Sequence, residues 1–342
     1  MDVALILEWT IKSLILVFVL LTGFAYLTFY ERKALARIQV RVGPNRAGPG
    51  GWLQPVADGV KLIMKEELIP DKADKLLFLA APVITTIPSL IIMAVVPWGE
   101  PITIFGREVP LYIMNVDVAV LYLVAVASIA VYGIVLAGWS SNNKYATMGG
   151  LRSSAQMISY ELALGLSFVG PILLASSMSL VDIVNAQGET TWYVFPQIIA
   201  FLVFLIATLA EVNRAPFDMP EAEQELVAGY HVEYSGMKFA LFYMAEYIKM
   251  IAVCGIGATL FLGGYKIPFS SFVPFLATLE HWLGPLVLLV KILILLFGMI
   301  WVRATLPRLR YDRLMAFGWK ILLPVALANV FLTAVAIVLL GG

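Results

Sequence analysis

The sequence predicts an all-α integral membrane protein of about eight transmembrane helices, with an interfacial amphipathic helix and structured cytoplasmic loops. Three observations predict it. Hydrophobic residues make up 61% of the 342 residues and charged residues 13%. Mean hydropathy is +0.90. Eight apolar runs, 9–30, 76–97, 117–138, 155–178, 192–211, 238–262, 282–302 and 319–340, approach the roughly 20 residues that a helix needs to cross a bilayer core. Finally, 18 of the 23 Lys and Arg residues fall in the loops that follow runs one, three, five and seven or, as with Lys238 and Lys320, at their edges.

The N-terminal segment has Asp2 and Glu8 where a signal peptide would be basic, and no small-residue cleavage pattern follows. The first run is therefore expected to remain as a helix. The distribution of Lys and Arg then puts the four polar loops (about 31–75, 139–154, 212–237 and 303–318) in the cytoplasm and both termini outside. The whole chain, 1–342, is expected to form a single polytopic membrane domain. Glu8, Glu100 and Asp117 lie near outer span ends and are taken as interfacial.

In the first loop, a Gly- and Pro-rich turn, VGPNRAGPGG, precedes a segment in which Gln54, Asp58, Lys61 and Lys65 recur at helical steps. Leu53, Val56, Val60 and Ile63 occupy another face, and Pro55 suits a first turn. This predicts an amphipathic helix over 53–66 lying in the membrane interface. The glycine-rich turn lacks the spacing of a phosphate-binding loop and follows no strand. At the cytoplasmic start of the fourth run, Arg152, Gln156 and Tyr160 form a polar stripe at i, i+4 and i+8, with Glu161 about 100° further round. Glu211 ends the fifth run, and Glu246 and Lys249 lie in the sixth.

The stretch Glu211 to Gly236, EVNRAPFDMPEAEQELVAGYHVEYSG, holds six carboxylates (Glu211, Asp218, Glu221, Glu223, Glu225 and Glu233) against one arginine, Arg214. Pro216 and Pro220 make 213–220 irregular. Polar groups this close to lipid are expensive, which favours a functional segment over a solvated connector. Each intramembrane acid, read alone, is also compatible with a protonated or paired group that holds helices together. Acids in three consecutive spans followed by more in one loop favour a proton path.

Other chemistries are excluded. Net charge is zero, so no basic field attracts nucleic acid. The lone cysteine, Cys254, and two distant histidines, His231 and His281, supply no disulfide framework, structural zinc site or iron–sulfur cluster from this chain alone. No dinucleotide fingerprint is present, so any electron transfer belongs to partners.

Four runs carry a family resemblance: ERKALARIQVRVGPNRAGPGGWLQPVADGVKLIMKE (Glu31 to Glu66), GGLRSSAQMISYE (Gly149 to Glu161), AEVNRAPFDMPEAEQELVAGYHVEYSGMKFALFYMAEY (Ala210 to Tyr247) and WVRATLPRLRYDRLMAFGWKILLP (Trp301 to Pro324). The chain resembles the H-type family of NADH-quinone oxidoreductase subunits, the membrane component at the foot of the peripheral arm of respiratory complex I. The resemblance implies a non-redox subunit of a proton-translocating NADH:quinone oxidoreductase in the bacterial inner membrane. It implies quinone as substrate, with iron–sulfur clusters and FMN on hydrophilic quinone-reducing partner subunits, and contacts with other membrane-arm subunits and lipid. Spans two to six would resemble half of an antiporter-like fold. The helix 53–66 and span one would frame the entrance of a quinone chamber. Arg32, Gln39, Arg41, Asp58, Lys61, Lys65, Arg214, Phe217 and Asp218 would line it or dock its partners. Glu221, Glu223 and Glu225 would lead to Glu211, Glu161 and Glu246 as the proton path, and Arg308 and Arg310 would dock the peripheral arm. Two alternatives stand beside this assignment: the equivalent subunit of an energy-converting membrane hydrogenase, and a free-standing ion transporter.

Overall fold

A helix that crosses lipid must satisfy its own backbone, and nearly every described element is helical. The computed structural model describes residues 3–104, 106–219, 229–267 and 274–340. In chain order the helices are α1 (Val3–Ile38), α2 (Gln54–Met64), α3 (Lys75–Ile91), α4 (Ala119–Ser140), α5 (Lys144–Ala175), α6 (Leu180–Glu189), α7 (Ile198–Glu211), α8 (Gly236–Phe261), α9 (Pro274–Thr305), α10 (Tyr311–Phe317) and α11 (Leu323–Leu340). A π turn, Gly318–Leu322, joins the last two. Among the described residues seven helices are long and apolar enough to cross a membrane, and α7 is a shorter apolar one.

All eight expected runs therefore coincide with helix, with differences of extent. The run 192–211 is helical only from Ile198, because Gln187 of α6 accepts from the backbone N–H of Tyr193 at 3.2 Å and ties the preceding residues into a turn. Most of the expected loop 139–154 is helix, since the Asn143 side chain accepts from Tyr145 N at 2.9 Å and starts α5 at Lys144. Beyond the expectation are α6 and a two-stranded antiparallel ribbon, β1 (Ile102–Ile104) with β2 (Arg107–Val109), in which Ile102 faces Val109.

The amphipathic helix starts with Pro55 in its first turn, as expected. Its orientation is the reverse of a soluble helix. Val56, Val60 and Ile63 are exposed, whereas Asp58 turns toward α1. An outward apolar face suits a helix resting in the membrane interface.

The core centres on α8, which packs against α1, α3, α6, α7 and α9; α3, α4, α5 and α7 form a consecutive layer beside it, and α11 closes on α5 and α7. Small residues allow the close approaches. A Cβ on Gly133 of α4 would lie 2.1 Å from Thr85 Oγ1 of α3, and one on Gly149 of α5 would lie 2.5 Å from Gly229 Cα. Within α3, which contains Pro82 and Pro88, the hydroxyls of Thr85, Thr86 and Ser89 donate to carbonyls four residues earlier, and Thr86 reaches Leu241 O of α8 at 3.1 Å.

Gly133→Val is expected to destabilise the protein by about 1–3 kcal/mol through overpacking of α3 against α4. The thermal midpoint in detergent checks this, compared with Gly165→Val, where a Cβ meets nothing within 4 Å.

Candidate functional site

The site is built around a carboxylate at the end of the first apolar run that the polar patterning did not single out. Leu16, Leu20, Leu27 and Glu31 share one buried stripe of α1, and Glu31 is only 3% exposed. Spacings of four, seven and four place them on one helical face, and this stripe is the signal that marks Glu31 in the sequence. Its carboxylate accepts from Tyr247 of α8 at 2.7 Å, lies 3.5 Å from Arg214 Nη1, and is bound closely by Arg303 at the end of α9. Tyr247 also lies under the Arg214 guanidinium, 4.3 Å from ring centroid to cation. Burial disfavours the Arg214 charge, but Tyr247, Glu31 and Glu246 outweigh it and hold the arginine's pKa above its ordinary value. Arg214 Nε and Nη2 are buried and make no hydrogen bond among the described residues.

The segment that carries Arg214 is packed into the core. Val212, Asn213, Arg214, Phe217, Asp218 and Met219 are all buried, so this part of the 212–237 stretch is no solvated connector. Asn213 adopts a left-handed backbone (φ 53°). Gln156 of α5 donates from one nitrogen toward Ala210 O (2.8 Å), Phe217 O (2.7 Å) and Asn213 Oδ1 (3.2 Å). Phe217 packs on Tyr160, 5.5 Å between ring centroids, and the Tyr160 hydroxyl donates to Leu314 O of α10. The expected stripe Arg152, Gln156, Tyr160 thus grips this segment and α10, with Arg152 over the Tyr311 ring.

The intramembrane acids divide into two groups. Glu211 Oε1 lies 2.9 Å from Lys249 Nζ of α8, and both side chains are buried. Glu161 accepts from Ser128 of α4. Glu161, Glu211 and Lys249 line one cavity, otherwise apolar, with about 20 Å³ open to a water's centre, enough for a water molecule. Glu246 faces elsewhere: Tyr230 donates to it at 3.1 Å, and His231 Nε2 is 4.0 Å away. Of the candidate proton-path residues, Glu221, Glu223 and Glu225 lie outside the described residues.

A groove of about 380 Å³ opens between α1, α2 and α8. Phe24, Phe239, Tyr243 and Met244 give it apolar walls, Arg32, Asp58 and Lys61 line its charged mouth, and Tyr247 belongs to its lining. Arg32 pairs with Asp58 at 2.7 Å, Gln54 donates to the same carboxylate, and Lys61 is 3.9 Å from it. Of the other residues expected here, Gln39 and Arg41 bond each other in the exposed turn after α1, and Lys65 caps α2 with an extended backbone. Asp218 pairs with Arg308 at 3.1 Å, so Arg308 has a partner within this chain; Arg310 is largely exposed beside Asp312. Arg303, Ser128, Tyr230 and His231 are further contributors that sequence spacing alone did not single out. Among the described residues no group of three His, Cys, Asp or Glu side chains has metal-holding geometry.

Comparison with known proteins is extensive. The model of the NADH dehydrogenase family matches residues 11–334. The chain is 51% identical to an H-type subunit of NADH-quinone oxidoreductase from Geobacter metallireducens, over 94% of this chain and 93% of that one. It is 51% identical to the H-type subunit of the same enzyme from Thermomicrobium roseum, over 93% of each. It is 50% identical to NADH-quinone oxidoreductase subunit 8 of Thermus thermophilus, over 96% of this chain and 87% of that one. With half the residues shared along almost the full length, and a family match from residue 11 to residue 334, the chain belongs to the NADH dehydrogenase family.

Proposed function

We propose that the chain is the membrane subunit of proton-translocating NADH:quinone oxidoreductase, respiratory complex I. In this assignment it forms part of a quinone chamber with the peripheral arm and couples quinone reduction to proton movement through its buried acids. Electrons reach the quinone from FMN and iron–sulfur clusters on partner subunits, and two electrons with two protons make the quinol. The membrane is the bacterial inner membrane, with both termini on its outer side, and exposed Arg310 is a docking group for the peripheral arm.

One observation carries the mechanism. Three neighbouring residues of α8 join the groove to the acids: Tyr247 lines the groove and bonds Glu31, Glu246 faces Tyr230 and His231, and Lys249 pairs with Glu211. The groove has a volume ordinary for a small-molecule site and apolar walls suited to an isoprenoid tail. Negative charge developing on a bound quinone near Arg214 and Tyr247 would compete for the cation that stabilises Glu31. Nearby acids then take up protons, because an added negative charge favours the protonated form of a carboxylate close to it. Glu211 and Glu161, which share a cavity with room for water, pass that change into the membrane layer.

Purification through a tag on this chain in mild detergent tests the assignment. Co-purification of flavin and iron–sulfur subunits with inhibitor-sensitive quinone reduction is the expected result. A nickel–iron subunit in their place, or a chain that purifies alone and conducts ions in vesicles, overturns it.

Three further outcomes are expected. Glu211→Gln lowers the coupled NADH:quinone rate by roughly tenfold or more, within reach of what a proton-transferring side chain contributes, and leaves NADH oxidation by ferricyanide unchanged. Lys249→Met strands a buried carboxylate at a cost of about 3–5 kcal/mol, read as a lower thermal midpoint, and adding Glu211→Gln restores most of it. Met244→Trp, which fills the groove, raises KM for long-tailed quinones more than for short-tailed ones in steady-state assays.

A further inference from the structure

At the end of the bundle away from Glu31 lies a second and larger cavity, of about 480 Å³. Lys12, on its wall, is 19 residues before Glu31 in α1, roughly 28 Å along a helix. Ile15 and Leu16 of α1, Trp98 and Leu111 of the connection between α3 and α4, and Pro285 and Leu289 of α9 line it. Among the described residues, Lys12 is the one charged member of the lining. It belongs to neither the groove nor the acid cavity.

The surroundings specify the occupant. Ile15, Leu286 and Leu289 at the cavity's edge are exposed, and so are Leu14 and Phe18 of α1 and Ile294 of α9. The opening therefore continues the apolar faces that α1 and α9 turn to lipid. At its polar end, Lys12 pairs with Glu8, and its side chain is only 15% exposed. An ammonium has three N–H donors, and Glu8 takes one. Trp98 and Tyr112, which also line the cavity, are the residue types that mark the membrane–water interface. An apolar slot that opens sideways to lipid, with one ammonium and two aromatic rings in its lining, matches a phospholipid, tail inward and phosphate at the charge.

We infer that this cavity is a phospholipid site: one acyl chain occupies the slot between α1, α9 and the 98–113 connection, and the phosphate rests on Lys12. The bound chain fills space that would otherwise leave the lining without partner atoms on one side. It anchors the first half of α1 at the end opposite the proposed quinone groove. The site is independent of the redox assignment.

Photocrosslinking tests it. With p-benzoylphenylalanine in place of Leu289 in the full-length chain, irradiated in its native membrane, the peptide carrying position 289 is expected to gain the mass of a phospholipid. An adduct with a neighbouring polypeptide or a quinone, or no adduct, overturns the site. A second measurement uses the protein extracted in mild detergent. Ile15→Trp combined with Leu286→Trp fills the slot and is expected to remove one retained phospholipid per chain, whereas Phe331→Trp, on an exposed face of α11, retains it. Equal retention in the parent chain and both variants overturns the site. Crosslinking alone decides the matter if the double variant does not accumulate.

Discussion

The structure depends on neutralising one buried carboxylate. Glu31 connects four parts of the chain: α1 supplies it, the 212–219 segment supplies Arg214, α8 supplies Tyr247 and the end of α9 supplies Arg303. A buried ion without partners is costly enough to change protonation or unfold the region around it. Arginine suits this position better than lysine, because Nη1 faces the carboxylate while the flat guanidinium stacks on Tyr247. The irregular segment between α7 and α8 is held by the same logic. Its carbonyls meet Gln156, its aspartate meets Arg308, and Pro216 O accepts from Leu309 N at 3.0 Å. Buried polar backbone of this kind is tolerated because other protein groups enclose it.

Much of the helical layout was legible in the sequence because lipid imposes a length on apolar runs and a bias on Lys and Arg. The departures have local causes. Short α7 follows from Gln187 reaching the chain at Tyr193, a tertiary contact that no window of hydropathy contains. The early start of α5 rests on a cap by Asn143, visible in principle but weak beside the charged and glycine-containing stretch that follows. At the site, the acids Glu161, Glu211 and Glu246 stood out because carboxylates are conspicuous in apolar runs. Their partners did not, since Ser128 and Tyr230 are ordinary residues whose roles arise only when helices meet. Glu31 was hidden by its neighbours, because Arg32 and Lys33 make the end of the first run look like the start of a loop.

The two groups of acids differ in what surrounds them. Glu211 and Glu161 face an apolar cavity that they share with one ammonium and that has little room, so a change of charge on either is felt strongly by the other in that dry setting. Glu246 is bordered by aromatic rings: Tyr230 and His231 are 3.8 Å apart between centroids, and both pack on Phe242. One helix, α8, carries groups of both kinds, so a small rotation of it would alter both environments together.

The contact between Gly149 and Gly229 gives such movement a mechanical character. Where α5 meets the turn bearing Tyr230 and His231, main chain touches main chain, with no side chain between them. Side chains absorb displacement by changing rotamer, whereas two backbones in contact cannot. A shift of α5 toward the turn therefore presses directly, like a rod against a stop, on the turn whose residues bond Glu246. The pair works as a bearing surface: it permits sliding and separation, and it resists compression.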